Sequence, residues 1–281
     1  MAIHPLLANA VDFELRFCLE VLKLESFHLG YSHSEEEVID SLAALRLAQA
    51  SYTQTIVEWM PNGSITVLDV GCGIGDVDLA LEKSGYVVHG LSPEQQHKQY
   101  FRNTHPESRF IQSGIESFMP TMRYDILLMS ESNNYFSLQD GMSAIQRCVK
   151  PGGHALISGF FRTSDNPLIN SNMVYRSELE QECTRRGYRI IRSENMSHRI
   201  IPTLRFTEYL FRQYMLPTLR IVQDLMTGFS PTLRFLLGTV FKRMGVFLDT
   251  LEKWYDANLS EGFFRENMTY HTYLIQVQEK Q

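Results

Sequence analysis

Residues 67–95 read "VLDVGCGIGDVDLALEKSGYVVHGLSPEQ". Val67, Leu68 and Val70 suit a buried strand, which runs straight into Gly71, Gly73 and Gly75 and then a helical pattern. Glycine takes backbone angles and close approaches that a side chain forbids. A helix starting at the same place offers its first, unpaired N–H groups. Such a loop can cradle a nucleotide, a carboxylate or a phosphate. A Walker A loop is excluded, because no Gly-Lys-Ser/Thr follows. A dinucleotide fingerprint fits poorly, because the third glycine arrives one residue early. A tight strand–helix turn that holds nothing is the bland reading of the same residues.

The rest of the chain supplies an alternating pattern. Strand candidates lie at 65–70, 86–91, 108–112, 124–130 and 153–160, with helical stretches near 75–84, 93–103 and 138–149. This order implies an α/β fold with a mainly parallel sheet and helices on both faces. "KPGG" at 150–153 reads as a turn before the fifth strand. A helix fits 176–186, a sixth strand 188–193, and a last strand 270–278. Ahead of the glycine loop, Val38, Leu42, Leu45, Ala48, Tyr52, Ile56 and Trp59 recur at helical spacing and predict one long helix over 35–60. The organisation expected is an N-terminal helical cap (1–60), a ligand-binding core (61–199), a helical insertion (200–262) and a final core strand (263–281).

Charge and cysteine usage narrow the partners. A formal charge of −6 gives no bulk electrostatic case for nucleic acid. Cys18, Cys72, Cys148 and Cys183 are scattered, and no His/Cys/Asp cluster has metal-ligand spacing, so no metal is expected. The thiols read as reduced. With no apolar run long enough to span a membrane and no secretory layout at the start, the expected location is cytoplasmic.

"VLDVGCGIG" closely resembles the first motif of class I S-adenosylmethionine-dependent methyltransferases, and the order of elements matches their Rossmann-like seven-stranded sheet, whose last strand inserts antiparallel. "FHLGY" at 27–31, "LSPEQ" at 91–95, "SESNNYF" at 130–136 and "VKPGG" at 149–153 resemble the branch that holds cyclopropane fatty acid synthases, tocopherol-type methyltransferases and small-molecule natural-product methyltransferases. The resemblance spans roughly 28–200 and 260–280. It implies S-adenosyl-L-methionine as cofactor, with Gly71, Gly73 and Gly75 beneath its methionine part, Asp69 supporting the loop or the amino group, and Tyr31 closing the site from the N-terminal side. Relatives often place an acid at the end of the second strand, where this chain has Gly90, and read "GD" where it has Ser113 and Gly114. Gln95 is then the candidate for the ribose, ahead of Glu94. Ile115 is a candidate for the adenine ring, and Glu116 a replacement for the missing acid.

Four residues are candidates for handling the acceptor. Glu131 ends the fourth strand beside the expected sulfur, where cyclopropane synthases use a Glu to help hold a bicarbonate base. Its bland role, shared by Asn133 and Asn134, is to hold the 131–136 loop. Tyr135 is a candidate for orienting the acceptor or stabilising positive charge with its ring. His198 and His28 are candidate bases.

The insertion carries Leu204, Phe206, Tyr209, Phe211, Tyr214, Phe235 and Phe241 among others, with Arg205, Arg212, Arg220, Arg234, Lys242 and Arg243 interspersed and Pro217 and Pro231 as dividers. It reads either as a lid over a largely apolar, lipophilic acceptor, whose anionic group the arginines would bind, or as a helical subdomain packed on itself. A membrane contact and a homodimer stay open. The function expected is methyl transfer to a small apolar metabolite at carbon, oxygen or nitrogen. The alternatives are a lipid C-methylating or cyclopropane-forming enzyme, and a noncatalytic cofactor-fold protein. A nicotinamide dehydrogenase is a weak third choice.

Overall fold

Strand periodicity explains the core. In a strand, successive side chains point to opposite faces, and here both faces are covered. Val67, Ile126, Leu128 and Leu156 join one buried cluster, while their neighbours Leu68, Leu127, Met129 and Ala155 join another. The computed structural model of the protein describes residues 15–63, 65–104, 109–227, 245–256 and 260–278. Its strands are β1 (Thr66–Val70), β2 (Val87–Ser92), β3 (Arg109–Gln112), β4 (Tyr124–Ser130), β5 (Val149–Arg162), β6 (Arg189–Asn195) and β7 (Met268–Gln276). They form one sheet in the order β3-β2-β1-β4-β5-β7-β6. β7 runs antiparallel to both β5 and β6, and the other pairs are parallel. The strand order therefore reverses between β1 and β4, the position where open α/β sheets bind ligands at the carboxyl ends of their strands.

Helices Leu42–Trp59, Asp76–Lys83 and Ser197–Leu210 cover one face through Tyr52, Ile56, Val77, Leu81, Ile200 and Leu204. Helices Leu138–Cys148 and Arg176–Arg186 cover the other through Met142, Ile145, Leu179 and Cys183. No helix among the described residues is long and apolar enough to cross a membrane.

Three sequence expectations shift. The helix expected over 35–60 occupies only Leu42–Trp59 and starts where Ser41 accepts a hydrogen bond from Ala44 N at 3.2 Å. Val38, read as part of its apolar face, is 74% exposed. "KPGG" lies inside β5, not before it. Gly152, at φ 78°, falls in the stretch where the β4–β5 register slips between Tyr124 and Ile126. Pro217 does not divide the insertion. Helix Ser197–Leu210 passes through a π turn, Phe211–Met215, into helix Leu216–Thr227, and a widened turn just before a proline relieves its clash with the preceding carbonyls. Pro231, Arg234, Phe235, Phe241, Lys242 and Arg243 lie outside the described residues.

Candidate active site

The glycine loop leaves the carboxyl end of β1 at the reversal point. Gly71, Gly73 and Gly75 all take left-handed φ values of 80°, 54° and 84°, so each position favours glycine before any ligand is considered. They then differ. A Cβ on Gly71 would sit 2.5 Å from the Cβ of Ser132, whose hydroxyl donates to the Val70 carbonyl. Gly71 thus lets the β4 loop dock on the glycine loop. Gly75 caps helix Asp76–Lys83. At Gly73, by contrast, a Cβ would meet open space, with nothing within 4 Å. Gly73 thus leaves room for a ligand to approach the loop.

Beneath the loop lie two carboxyl groups. Asp69 (2% exposed) and Asp78 (0%) are buried, and three of their four oxygens lack a hydrogen-bond partner. Asp69 pairs with Gly90 across β1 and β2. A Cβ on Gly90 would lie 2.7 Å from the Phe101 ring, 2.8 Å from Cys72 Sγ and 3.0 Å from Asp78 Oδ2. Gly90, expected at the strand end, lies two residues inside β2, which runs on to Ser92, and a side chain there is blocked by Phe101, Cys72 and Asp78. Burial raises both carboxyls above the usual carboxylate range; Asp69 also pushes Asp78 up, while a hydrogen bond from Asp78 opposes the rise at Asp69. Cys72, 5% exposed, has its thiol raised chiefly by burial, which fits the small buried filler expected.

"FHLGY" threads between helices Leu42–Trp59 and Ser197–Leu210. Tyr31 N donates to Ala48 O at 2.8 Å, Thr203 Oγ1 to Gly30 O at 2.9 Å, and Ser32 N to Arg199 O at 2.8 Å. A Cβ on Gly30 would come within 2.6 Å of Ala48 Cβ, so a glycine is needed for this close approach. His28 reaches Asp76, the first residue of the glycine-loop helix, with Nε2 2.9 Å from Asp76 Oδ2. Its Nδ1 is 2.7 Å from Leu29 O and its Nε2 also 3.0 Å from Thr53 Oγ1.

Glu131 takes a left-handed φ of 56° at the end of β4 and accepts from Leu29 N (3.2 Å) and from Tyr270 Oη (3.0 Å). Tyr270 Oη is 3.3 Å from Tyr52 Oη, which lies 2.7 Å from Ser130 Oγ. Burial raises Glu131, against the opposing pull of His28, the Leu29 N–H and Tyr270. Burial also pushes the Tyr31 hydroxyl up to about 12 and Tyr52 and Tyr270 well above their usual range, with the Glu131 charge adding to each. The tyrosines remain protonated donors at neutral pH.

The structure brings Asp69, Gly71, Gly73, Gly75, His28, Tyr31 and Glu131 to one edge of the sheet. Tyr31 is 1% exposed and its hydroxyl lies 3.2 Å from Ser158 Oγ, so it packs in the core and does not face an open cleft. Ile115 is likewise buried in the apolar cluster with Leu68, Val70 and Leu91, which leaves its backbone as the part able to meet an adenine ring. Glu116 is exposed and folds back over Gly114, with Oε2 2.6 Å from where a Cβ would be. Gln95 opens helix Gln95–Thr104 and is exposed, as is Glu94.

Tyr135 is 73% exposed on the loop after β4. Asn133 and Asn134 hold that loop, the first through Nδ2 to Phe160 O (3.0 Å) and the second by accepting from Asn170 at its carbonyl (3.0 Å). His198 is exposed at the start of helix Ser197–Leu210, after β6. Its neighbour Arg199 meets Ser32 and the Tyr31 ring, while His198 itself is exposed. Among the described residues no group of three His, Cys, Asp or Glu side chains is arranged to hold a metal. Sequence reasoning missed Asp76, Asp78, Ser132, Tyr52 and Tyr270 as members of this region. The "GDVD" acids at the helix start were the one visible signal.

Among the described residues, the insertion arginines turn to the protein's own carboxylates. Arg205 binds Glu261, Arg212 binds Glu208 and Asp256, and Arg220 binds Glu252. Their expected use as anion ligands therefore has no support from the described geometry.

A family model described as "Methyltransferase domain" matches residues 36–198. A curated ubiquinone biosynthesis O-methyltransferase of Vibrio vulnificus (strain YJ016) is 35% identical over 101 residues, covering 33% of this chain and 42% of the relative. The chain thus spans less than half the length of that relative. Two solved structures share the fold at low identity. A protein of Galdieria sulphuraria assigned as a sarcosine dimethylglycine methyltransferase superposes with a TM-score of 0.71 at 13% identity, over 97% of this chain and 100% of its own. Geranyl diphosphate C-methyltransferase of Streptomyces coelicolor A3(2), in complex with Mg2+, geranyl diphosphate and S-adenosyl-L-homocysteine, superposes with a TM-score of 0.61 at 14% identity, over 98% of both chains. With the family model matched over more than half of its 281 residues and its strand order shared with methyltransferases, this chain belongs to the methyltransferase-domain family.

Proposed function

We propose that the chain transfers the methyl group of S-adenosyl-L-methionine to a small, largely apolar acceptor and releases S-adenosylhomocysteine. The observation that carries this reading is Gly73: left-handed, open above its α-carbon, and set at the strand-order reversal. The cofactor would supply an electrophilic methyl on a sulfonium. Gly73 and the first turn of helix Asp76–Lys83 would cradle its methionine end, the Asp69 region would lie beneath, and Gln95 would bond the ribose hydroxyls in place of the acid that Gly90 lacks.

On the acceptor side, both oxygens of Glu131 and both ring nitrogens of His28 already have partners. Neither is a free base. An acceptor that brings its own nucleophilic electron pair suits such a site better than one that needs a strong base, and the site's work is then to align it within roughly 3–3.5 Å of the methyl carbon. Tyr135, exposed on the loop after β4, is the residue we assign to orienting it. The acceptor atom stays open among carbon, oxygen and nitrogen.

The test is direct. S-adenosylhomocysteine titrated into the protein should give a saturable heat, and Gly73→Val should remove it while the far-ultraviolet circular dichroism stays unchanged. Gly71→Val is the contrast: it should lose folded protein, because Ser132 blocks the side chain. Equal binding by wild type and Gly73→Val would overturn the placement. Labelled S-adenosylmethionine mixed with a metabolite extract would then reveal the acceptor as the labelled product.

A further inference from the structure

His28 is committed on both sides. Its Nδ1 faces the Leu29 carbonyl at 2.7 Å, and its Nε2 lies 2.9 Å from Asp76 Oδ2 and 3.0 Å from Thr53 Oγ1. Side-chain exposures of 7% for His28 and 17% for Asp76 leave little water to intervene. A neutral imidazole has one donor and one acceptor nitrogen. With the proton on Nδ1, the Nε2 lone pair would face a carboxylate; with the proton on Nε2, the Nδ1 lone pair would face a carbonyl. The ring protonated on Nδ1 alone can donate to Leu29 O and accept from Thr53 Oγ1, but it turns its Nε2 lone pair toward the Asp76 carboxylate; the doubly protonated ring suits Leu29 O, Thr53 Oγ1 and Asp76 together.

The two partners belong to different parts of the site. Asp76 opens the helix that grows out of the glycine loop, one residue after Gly75. Leu29, next to His28, donates its N–H to Glu131 at the end of β4. We propose that His28, as an imidazolium, is a positioning residue that clamps the 26–31 segment onto the glycine-loop helix and so holds the cofactor side and the acceptor side of the cleft in register. The proposal rests on the methyl-transfer reading for its consequence, but not for the clamp itself.

The surrounding charges agree. Burial pulls His28 down, yet the charge and hydrogen bond of Asp76, the charge of Glu131 and the Leu29 carbonyl outweigh it and leave His28 raised. Burial raises Asp76, and His28 more than reverses that. The Tyr52 ring lies against His28 with centroids 4.3 Å apart, and the hydroxyls of Tyr52, Tyr270 and Tyr31 stay protonated around Glu131. Asp69 and Asp78 stand behind Asp76, and its negative charge helps raise both. Arg199 is turned to the Tyr31 ring, 4.6 Å away, and to Ser32 O. Three acids and one histidine thus meet at the helix start, and His28 is the cation among them.

The sign follows. A histidine raised in the fold gives its stabilisation below the unfolded value and loses it as pH rises through the folded one. The clamp should therefore hold at neutral pH and release in alkali. Three measurements on the full chain test this, comparing wild type with His28→Gln. Nitrogen-15 spectra of the free protein should show both His28 ring nitrogens protonated at pH 7. Hydrogen exchange in His28→Gln should speed up at 26–31 and at 72–78 together, with β4 and β5 unchanged. S-adenosylhomocysteine should bind wild type more weakly as pH rises, and bind His28→Gln at least several-fold more weakly with that pH slope gone. A neutral His28 at pH 7, or faster exchange at 26–31 without 72–78, overturns the clamp. A clamp confirmed by exchange in a protein that binds no S-adenosylhomocysteine at any pH would instead overturn the cofactor reading. If His28→Gln does not fold, the wild-type spectra and the pH dependence of wild-type exchange at 72–78 decide alone.

Discussion

The cluster around Glu131 and the small core of the insertion are both buried, but by opposite means. Around Glu131 the interior is polar and held by specific pairings: Tyr270 and Leu29 on the carboxylate, Ser130 on Tyr52, Ser158 on Tyr31, with the Asp76 charge beside His28. In the insertion, Phe211, Leu216, Leu251 and Tyr255 pack by shape, with the Phe211 and Tyr255 rings stacked 3.9 Å apart and 4° from parallel. Ion pairs such as Arg212–Asp256 and Arg220–Glu252 rim it in solvent. A polar interior with assigned partners tolerates one arrangement, because any other leaves charges unpaired. Four apolar side chains tolerate several, and opening them exposes little surface. Geometry is fixed beside the proposed methyl carbon and adjustable over the proposed entrance.

The largest expected effect breaks the first of these. Glu131→Ala strands the Tyr270 hydroxyl and the Leu29 N–H and removes a charge that His28 responds to, so it should cost about 3–5 kcal/mol of stability. Arg212→Ala, which removes two ion pairs from a side chain 37% exposed, should cost about 0–1 kcal/mol. Denaturant unfolding of both variants checks the contrast. Equal losses would mean that the polar cluster is no more constrained than the insertion rim.

What was legible in the sequence follows the same division. The strands were visible because Val67–Val70, Ile126–Met129 and Ala155–Ile157 are apolar on both faces, a local property. The resemblance at "VLDVGCGIG" located the site and, through the family match, the fold. The pairing of His28 with Asp76 was not visible: it joins residues far apart in the chain, and it exists only because "FHLGY" docks between two helices. Asp78 likewise reads locally as an acid in a first helical turn; it is buried beside Gly90 of β2, outside its own helix. The insertion arginines read as ligands for an anion because their carboxylate partners, Glu252, Asp256 and Glu261, lie 32 to 56 residues away.

A middle-sized effect concerns the protonation of Asp78 beneath the glycine loop. The unfolded chain ionises Asp78 near the ordinary carboxylate value, whereas burial and Asp69 keep it protonated in the fold. Between those two pH values the folded form holds the extra proton, so stability falls as pH climbs, by at most about 1.4 kcal/mol per unit. Asp78→Asn keeps the shape and removes that proton. Its stability relative to wild type should rise steadily from pH 5 to pH 8, and chemical denaturation at several pH values measures it. His28 contributes a slope of its own, but equally to both proteins, so the difference isolates Asp78. Parallel curves would show that Asp78 gains no proton on folding.

The smallest effect on stability sharpens the other side. Tyr209 is 48% exposed, stacks on Phe206 with centroids 6.2 Å apart, and holds its hydroxyl 3.3 Å from that of Tyr214, itself 55% exposed. Truncating so exposed a ring should change stability by about 0.5 kcal/mol or less. A lid, however, must admit an acceptor and then exclude water from the reacting methyl. In that case Tyr209→Ala should lower turnover of an apolar acceptor while leaving S-adenosylhomocysteine affinity unchanged, a combination that damage to the core would not produce. Hydrogen exchange at 211–227 and 245–256 should be faster than in the central sheet without acceptor, and should slow when acceptor and S-adenosylhomocysteine bind together. The first half of the segment should not follow, because Ile200, Ile201 and Leu204 of helix Ser197–Leu210 belong to the main core. If exchange in 211–227 ignores a genuine acceptor, and Tyr209→Ala alters only the melting temperature, then the insertion is a packing or oligomerisation subdomain. The acceptor would then have to enter between 28–31 and 131–136, against the polar cluster itself, where Tyr135 is the exposed ring.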